Sequence, residues 1–101
     1  MSAAVRVELP SSLRQLAQTP ALVTLTIEGA VTQCSLLDAL EARFPALEGT
    51  LRDHNTKIRR PFIRFFAEGR DLSHHAPDAP LPASIADGSE PFLIIGAIAG
   101  G

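Results

Sequence analysis

One segment of the chain, residues 35–44 (SLLDALEARF), repeats its large apolar residues at helical spacing, while three others repeat theirs at strand spacing and a fourth, residues 92–95, is a short run apolar throughout. That ratio constrains the fold more than any other feature. In the helical segment Leu36, Leu37, Leu40 and Phe44 share one face, with Asp38, Glu41 and Arg43 opposite. Ser35, with Asp38 three residues on, fits a helix start. Pro45 fixes the end, because the residue before a proline avoids helical backbone. With one main helix and several short strands, the class is α+β: a sheet with the helix lying across it.

Residues 4–9 (AVRVEL) put Val5, Val7 and Leu9 on one side and Arg6 and Glu8 on the other, the two-residue period of a half-buried strand. Pro10, Ser11 and Ser12 close it, and residues 13–21 read as irregular. Residues 22–28 (LVTLTIE) form a second strand, rich in β-branched side chains and stopped by Gly29; it is expected to pair antiparallel with the first. Residues 62–66 (FIRFF) alternate again and run into a turn centred on Gly69. Residues 72–84 carry Pro77, Pro80 and Pro82 and read as a surface loop. Asp87 and Gly88 make a turn, and residues 92–95 (FLII) are the last strand. Because that strand is apolar at every position, it belongs in mid-sheet. The order predicts a β-grasp: a mixed sheet of four to five strands with one main helix packed across it. The domain spans residues 1–95, and residues 96–101 form a flexible tail ending in Gly-Gly.

Alternation also sorts the faces. An arginine rarely faces a core, so Arg64 turns Phe62 and Phe66 outward with it. In the last strand Leu93 and Ile95 are assigned outward, Phe92 and Ile94 inward. Phe62, Phe66, Leu93 and Ile95 then form an apolar patch rimmed by Arg64 and Arg6, and patches of that kind mark partner surfaces.

Composition excludes several function classes. At 101 residues with 46% hydrophobic content, the chain fits one domain able to hold its fold without disulfides or a structural metal. Its one cysteine cannot make an internal disulfide and points to a reducing compartment. The start, MSAAVRVELP, lacks a basic stretch followed by an apolar one, and no apolar run approaches a membrane span. A cytoplasmic location with no membrane partner is expected. The net charge of −2 comes from scattered charges, which leaves no basic face for phosphate backbones. Tyr and Trp, which stack bases and sugars, are absent. Nucleic acid is not an expected partner.

Few side chains that carry chemistry converge. His74 and His75 are adjacent, without the spaced Cys, His or carboxylate set of common metal sites, so no metal is expected. Cys34 precedes the helix, and a lone cysteine is more often a small buried hydrophobe than a reactive thiol. Asp38 and Glu41 lack a second acid elsewhere to form a hydrolytic pair and are expected on a solvated face.

The segments LLDALEARFPAL, RPFIRFFAEGRDL and IADGSEPFLII, behind a strand hairpin and before a terminal AIAGG, resemble the ThiS/MoaD family of ubiquitin-like sulfur carriers, in its longer MoaD-like form. The resemblance covers nearly the whole chain. Its most specific element is the terminal pair, since with glycine at about 7% of residues a random chain ends in two of them about 0.5% of the time. It implies a carrier, not an enzyme, whose reacting group is the carboxylate of Gly101. In the family, a ubiquitin-activating-type adenylyltransferase uses ATP and magnesium to adenylate that carboxylate. A sulfur donor then converts the acyl adenylate to a thiocarboxylate, and an acceptor synthase such as a molybdopterin synthase large subunit takes the sulfur. The carrier itself is expected to bind no cofactor and to be a monomer when free.

That role gives the tail a reason. A backbone reaching a buried site on another protein benefits from lacking a Cβ, which Gly100 and Gly101 supply. Ala97 and Ala99 are nearly as slim, and Ile98 is the one bulky residue, suited to anchor the segment in a partner groove. Gly96, Ala97, Ile98, Ala99 and Gly100 are thus the expected tail-binding residues. Molybdopterin, thiamine and cysteine biosynthesis all use carriers of this shape, and the sequence does not choose among them. Two other readings stand beside it. One is a ubiquitin-like modifier conjugated through Gly101, disfavoured for chain building because Lys57 is the only lysine. The other is a non-reactive β-grasp binding module.

Overall fold

In the computed structural model, which describes residues 2–96, the first two strands form a hairpin as the alternation requires. β1 (Ser2–Glu8) and β2 (Leu22–Glu28) pair antiparallel, from Ser2 opposite Glu28 to Glu8 opposite Leu22. Val5, Val7, Val23, Leu25 and Ile27 are buried on one face. The segment between them departs from the irregular stretch expected for residues 13–21. It begins with α1 (Ser11–Ala17), started by the Pro10 carbonyl, which accepts the amides of Leu13 and Arg14. Gln18 ends it in the left-handed region at φ 55°. Only Leu13 of this helix is buried, so seven residues carry no repeating apolar face to read.

α2 (Gln33–Arg43) is the main helix, and it starts earlier than Ser35. Thr32 is the cap: its hydroxyl accepts the Ser35 amide at 3.0 Å, and Ser35 Oγ accepts the Thr32 amide at 2.9 Å. Ser35 is therefore the reciprocal partner in the box, not the cap itself. Leu36, Leu37 and Leu40 are buried against the sheet. The helix stops before Pro45, which opens a single 3-10 turn, Pro45–Leu47.

Glu41 is not solvated. It is 7% exposed because Arg52, itself 3% exposed, reaches it through two hydrogen bonds of 3.1 and 2.9 Å and also holds Asp38 at 2.5 Å. Burial alone would lower the Arg52 pKa, but the hydrogen bonds to Glu41 and Asp38 outweigh it and push it up. Asp38 stays largely in solvent. The ion pair fastens the crossing that follows α2 to the helix.

The second half supplies three strands. β3 (Ile63–Ala67) and β4 (Arg70–Asp71) are joined by Glu68 and Gly69, both at positive φ, the two-residue turn that suits a twisted hairpin. β5 (Phe92–Gly96) runs parallel to β1, with Phe92 opposite Val7, and antiparallel to β3, with Ile94 opposite Phe65. The sheet order is β2-β1-β5-β3-β4, so the all-apolar strand is central. Phe65 and Phe92 meet at 5.3 Å between ring centroids in the core.

Residues 72–84 are not wholly surface loop. Leu81 is buried and donates its amide to Val31, and α3 (Ala83–Ala86) buries Ile85 completely. The following turn is pressed onto β1: a Cβ on Gly88 would lie 2.7 Å from the Ala4 carbonyl oxygen, and its φ is +81°.

Candidate functional site

β5 divides its side chains between the two sheet faces. Phe92 and Ile94 are buried in the core, whereas Leu93 is half-buried and Ile95 41% exposed on the opposite face. β3 divides likewise: Ile63, Phe65 and Ala67 are buried, while Arg64 and Phe66 are half-buried on the outer face. The register sets Ile95 beside Arg64, and Leu93 between Phe66 and Glu8. Arg64, Phe66, Leu93 and Ile95 therefore form one strip on the open face.

Charges border this strip at both sides. Arg64 Nη1 lies 3.4 Å from Asp71 Oδ2 on β4. The Ser73 hydroxyl and amide hold the Asp71 carboxyl below the usual carboxylate range, with Arg64 adding to the effect. Arg6, placed on the rim from the sequence, is engaged by the turn before β5. Its Nε donates to Gly88 O at 2.7 Å and its Nη2 to Ser89 O at 2.9 Å.

Phe62 lies outside the paired residues that set this strip. It precedes β3 and, at 40% exposure, lines a cavity of about 520 Å³ at the end of the sheet. Pro10, Leu13 and Leu16 of the α1 region, Thr50, Ile63 and Gly96 complete most of its wall. The sequence pattern does not mark this cavity, because α1, which forms part of its wall, buries a single side chain and shows no repeating apolar face.

Gly96, expected to open the tail, is the last residue of β5 and pairs with Ile63. A methyl on its Cα would meet only Pro10 Cγ, at the ordinary contact distance of 3.9 Å, so the described fold does not require glycine there. Ala97, Ile98, Ala99, Gly100 and Gly101 lie outside the described residues.

The other candidates remain apart. Cys34 is half-buried in the first turn of α2, its Sγ 3.8 Å from Asp38 Oδ2. His75 Nε2 lies 3.1 Å from the Pro80 carbonyl oxygen, and His74 is exposed. Among the described residues no three His, Cys, Asp or Glu side chains come together as a metal-binding group. No helix among them is long and apolar enough to cross a membrane.

A mixed five-stranded sheet with its last strand in the centre and one main helix across a face is the ubiquitin-like β-grasp fold. No protein-family model and no curated protein sequence matches the chain. Solved structures do. SAMP1 from Haloferax volcanii superimposes with a TM-score of 0.74 at 21% identity, over 97% of this chain and 99% of that one. The small archaeal modifier protein 1 from Methanosarcina acetivorans gives 0.74 at 23% identity, over 100% and 99%. A chain of the Amycolatopsis orientalis BexX/CysO complex gives 0.72 at 23% identity, over 97% and 100%. At such identities the likeness establishes the fold.

Proposed function

We propose that the protein is a sulfur carrier that reacts through the carboxylate of Gly101. The observation that carries this reading is the coincidence of a β-grasp whose central strand leads into the tail with a sequence that finishes in Gly100 and Gly101. A carboxylate is a poor electrophile until it gains a good leaving group. An activating enzyme would join it to the α-phosphate of magnesium-bound ATP, releasing pyrophosphate and forming an acyl adenylate. Attack by hydrosulfide, with release of AMP, would leave a terminal thiocarboxylate directly; attack by the outer sulfur of a persulfide donor would first give an acyl disulfide, whose S–S bond a thiol reductant must cleave. The thiocarboxylate is a soft nucleophile that an acceptor synthase would consume. The strip of Arg64, Phe66, Leu93 and Ile95 is the surface on which the activating enzyme would seat the domain, and the glycines would thread its site. Molybdopterin, thiamine and cysteine biosynthesis are the candidate outlets, and the cytoplasm is the compartment that suits this chemistry.

A second reading has its own support, because the similar structures include small archaeal modifier proteins. In it the same adenylate is attacked by an amine of a target protein, giving an isopeptide through Gly101.

One experiment separates them. The full chain, an activating enzyme, ATP, magnesium and a sulfur donor are incubated, and intact mass is measured. The carrier reading expects one oxygen replaced by sulfur, and no such product on the chain lacking Gly101. Covalent adducts with other proteins, without the thiocarboxylate, support the modifier reading. An unchanged mass with several activating enzymes overturns both in favour of a binding module.

A further inference from the structure

We propose that the cavity beside the end of β5 is a dock for the chain's own Ile98, holding the tail against the domain until a partner takes it. Among the described residues, few large apolar side chains stand in solvent, and two of them, Leu16 at 49% exposure and Phe62 at 40%, face this one cavity of about 520 Å³. Ser12 and Thr50 lie among its lining, so it joins apolar walls to polar groups, as sites for an aliphatic side chain do.

Chain length selects the occupant. Gly96 is itself part of the wall, and Ile98 follows two residues later. Two extended residues span about 7 Å at most, which is enough for the Ile98 side chain to enter. The flanking Ala97 and Ala99 offer no competing bulk. A tether this short gives an effective concentration in the millimolar range or above, so a weak apolar contact suffices to populate the docked state. Ile98 then has two alternative seats, the domain's own cavity and a groove on the partner, and the partner must win it away before the end of the chain can extend.

This proposal rests on the carrier reading for its biological meaning, but its test needs no activating enzyme, so the two can fail separately. In the full-length chain, nuclear Overhauser contacts are sought between the Ile98 methyls and those of Leu16 and the Phe62 ring. Ile98→Ser, Leu16→Ser and the double variant are melted in parallel. The dock predicts the contacts, a fall in Tm of roughly 4 °C for each single variant, and little further fall in the double variant. Absent contacts, or single-variant effects that simply add, overturn it. Contacts that vanish on dilution assign the cavity to a second copy of the chain and overturn it equally.

Discussion

Ile94 and Ile95 are neighbours in one strand with opposite surroundings. Ile94 is 2% exposed and sits opposite Phe65, while Ile95 is 41% exposed and sits opposite Arg64. Ile94→Asp places an unpaired carboxylate in the core and is expected to unfold the domain or cost more than about 4 kcal/mol. Ile95→Asp is expected to stay within roughly 0.5 kcal/mol of the parent and, on the proposed carrier role, to lose most activation at Gly101. Urea titration beside the thiocarboxylate assay checks both; a folded Ile95→Asp activated at the parent rate removes the strip from the partner surface. This inward and outward split was legible because a strand shows it with a period of two and Arg64 fixes its phase. Gly88 marks the limit of such reading. Asp87-Gly88 announces a turn, but nothing local announces that the turn lies against Ala4 near the other end of the chain, or that Arg6 will hold its carbonyl.

The elements best read from the sequence are the β1-β2 hairpin and α2, which have a long enough repeat, and the central strand, whose unbroken apolar run marks its place in mid-sheet. α1 and α3, of seven and four residues, each bury a single side chain and so leave no pattern. Alternation carries Phe62 onto the open strip only if it extends one residue beyond β3, which starts at Ile63. The burial of Glu41 was equally hidden, since its partner Arg52 comes from the crossing after α2. That pairing makes a prediction at the level of the element. Arg52→Met leaves Glu41 buried without its cation and is expected to cost about 3–5 kcal/mol. Arg52→Met combined with Glu41→Leu is expected to recover most of that loss, because both desolvated charges are gone. Urea midpoints for the two singles and the double decide it; a double variant as unstable as Arg52→Met alone means the pair does more than fill space.

Across the whole molecule, acid is expected to weaken the fold through its turns. Asp53 is held below the usual carboxylate range by the amides of Thr56 and Asn55, Glu68 by the Ser84 hydroxyl and then Arg70, Asp71 by Ser73, and Asp87 by Ser89. A carboxylate whose pKa is depressed by folding contributes stability above its unfolded value, near 4, and loses it as pH falls through the folded value. The urea midpoint is therefore expected to hold near neutrality and decline below about pH 5, with a shallower decline in Asp87→Asn. A midpoint that rises on acidification contradicts the assignment. The position of β5 has a mechanical consequence as well. Any pull on the chain beyond Gly96 runs along a strand bonded to β1 on one side and β3 on the other. Those bonds lie across the direction of the pull and are loaded together in shear instead of opening one after another. A load applied at the end of β5 is thus taken by a rope tied to the middle of the sheet, which can be drawn taut without unravelling the domain that carries it.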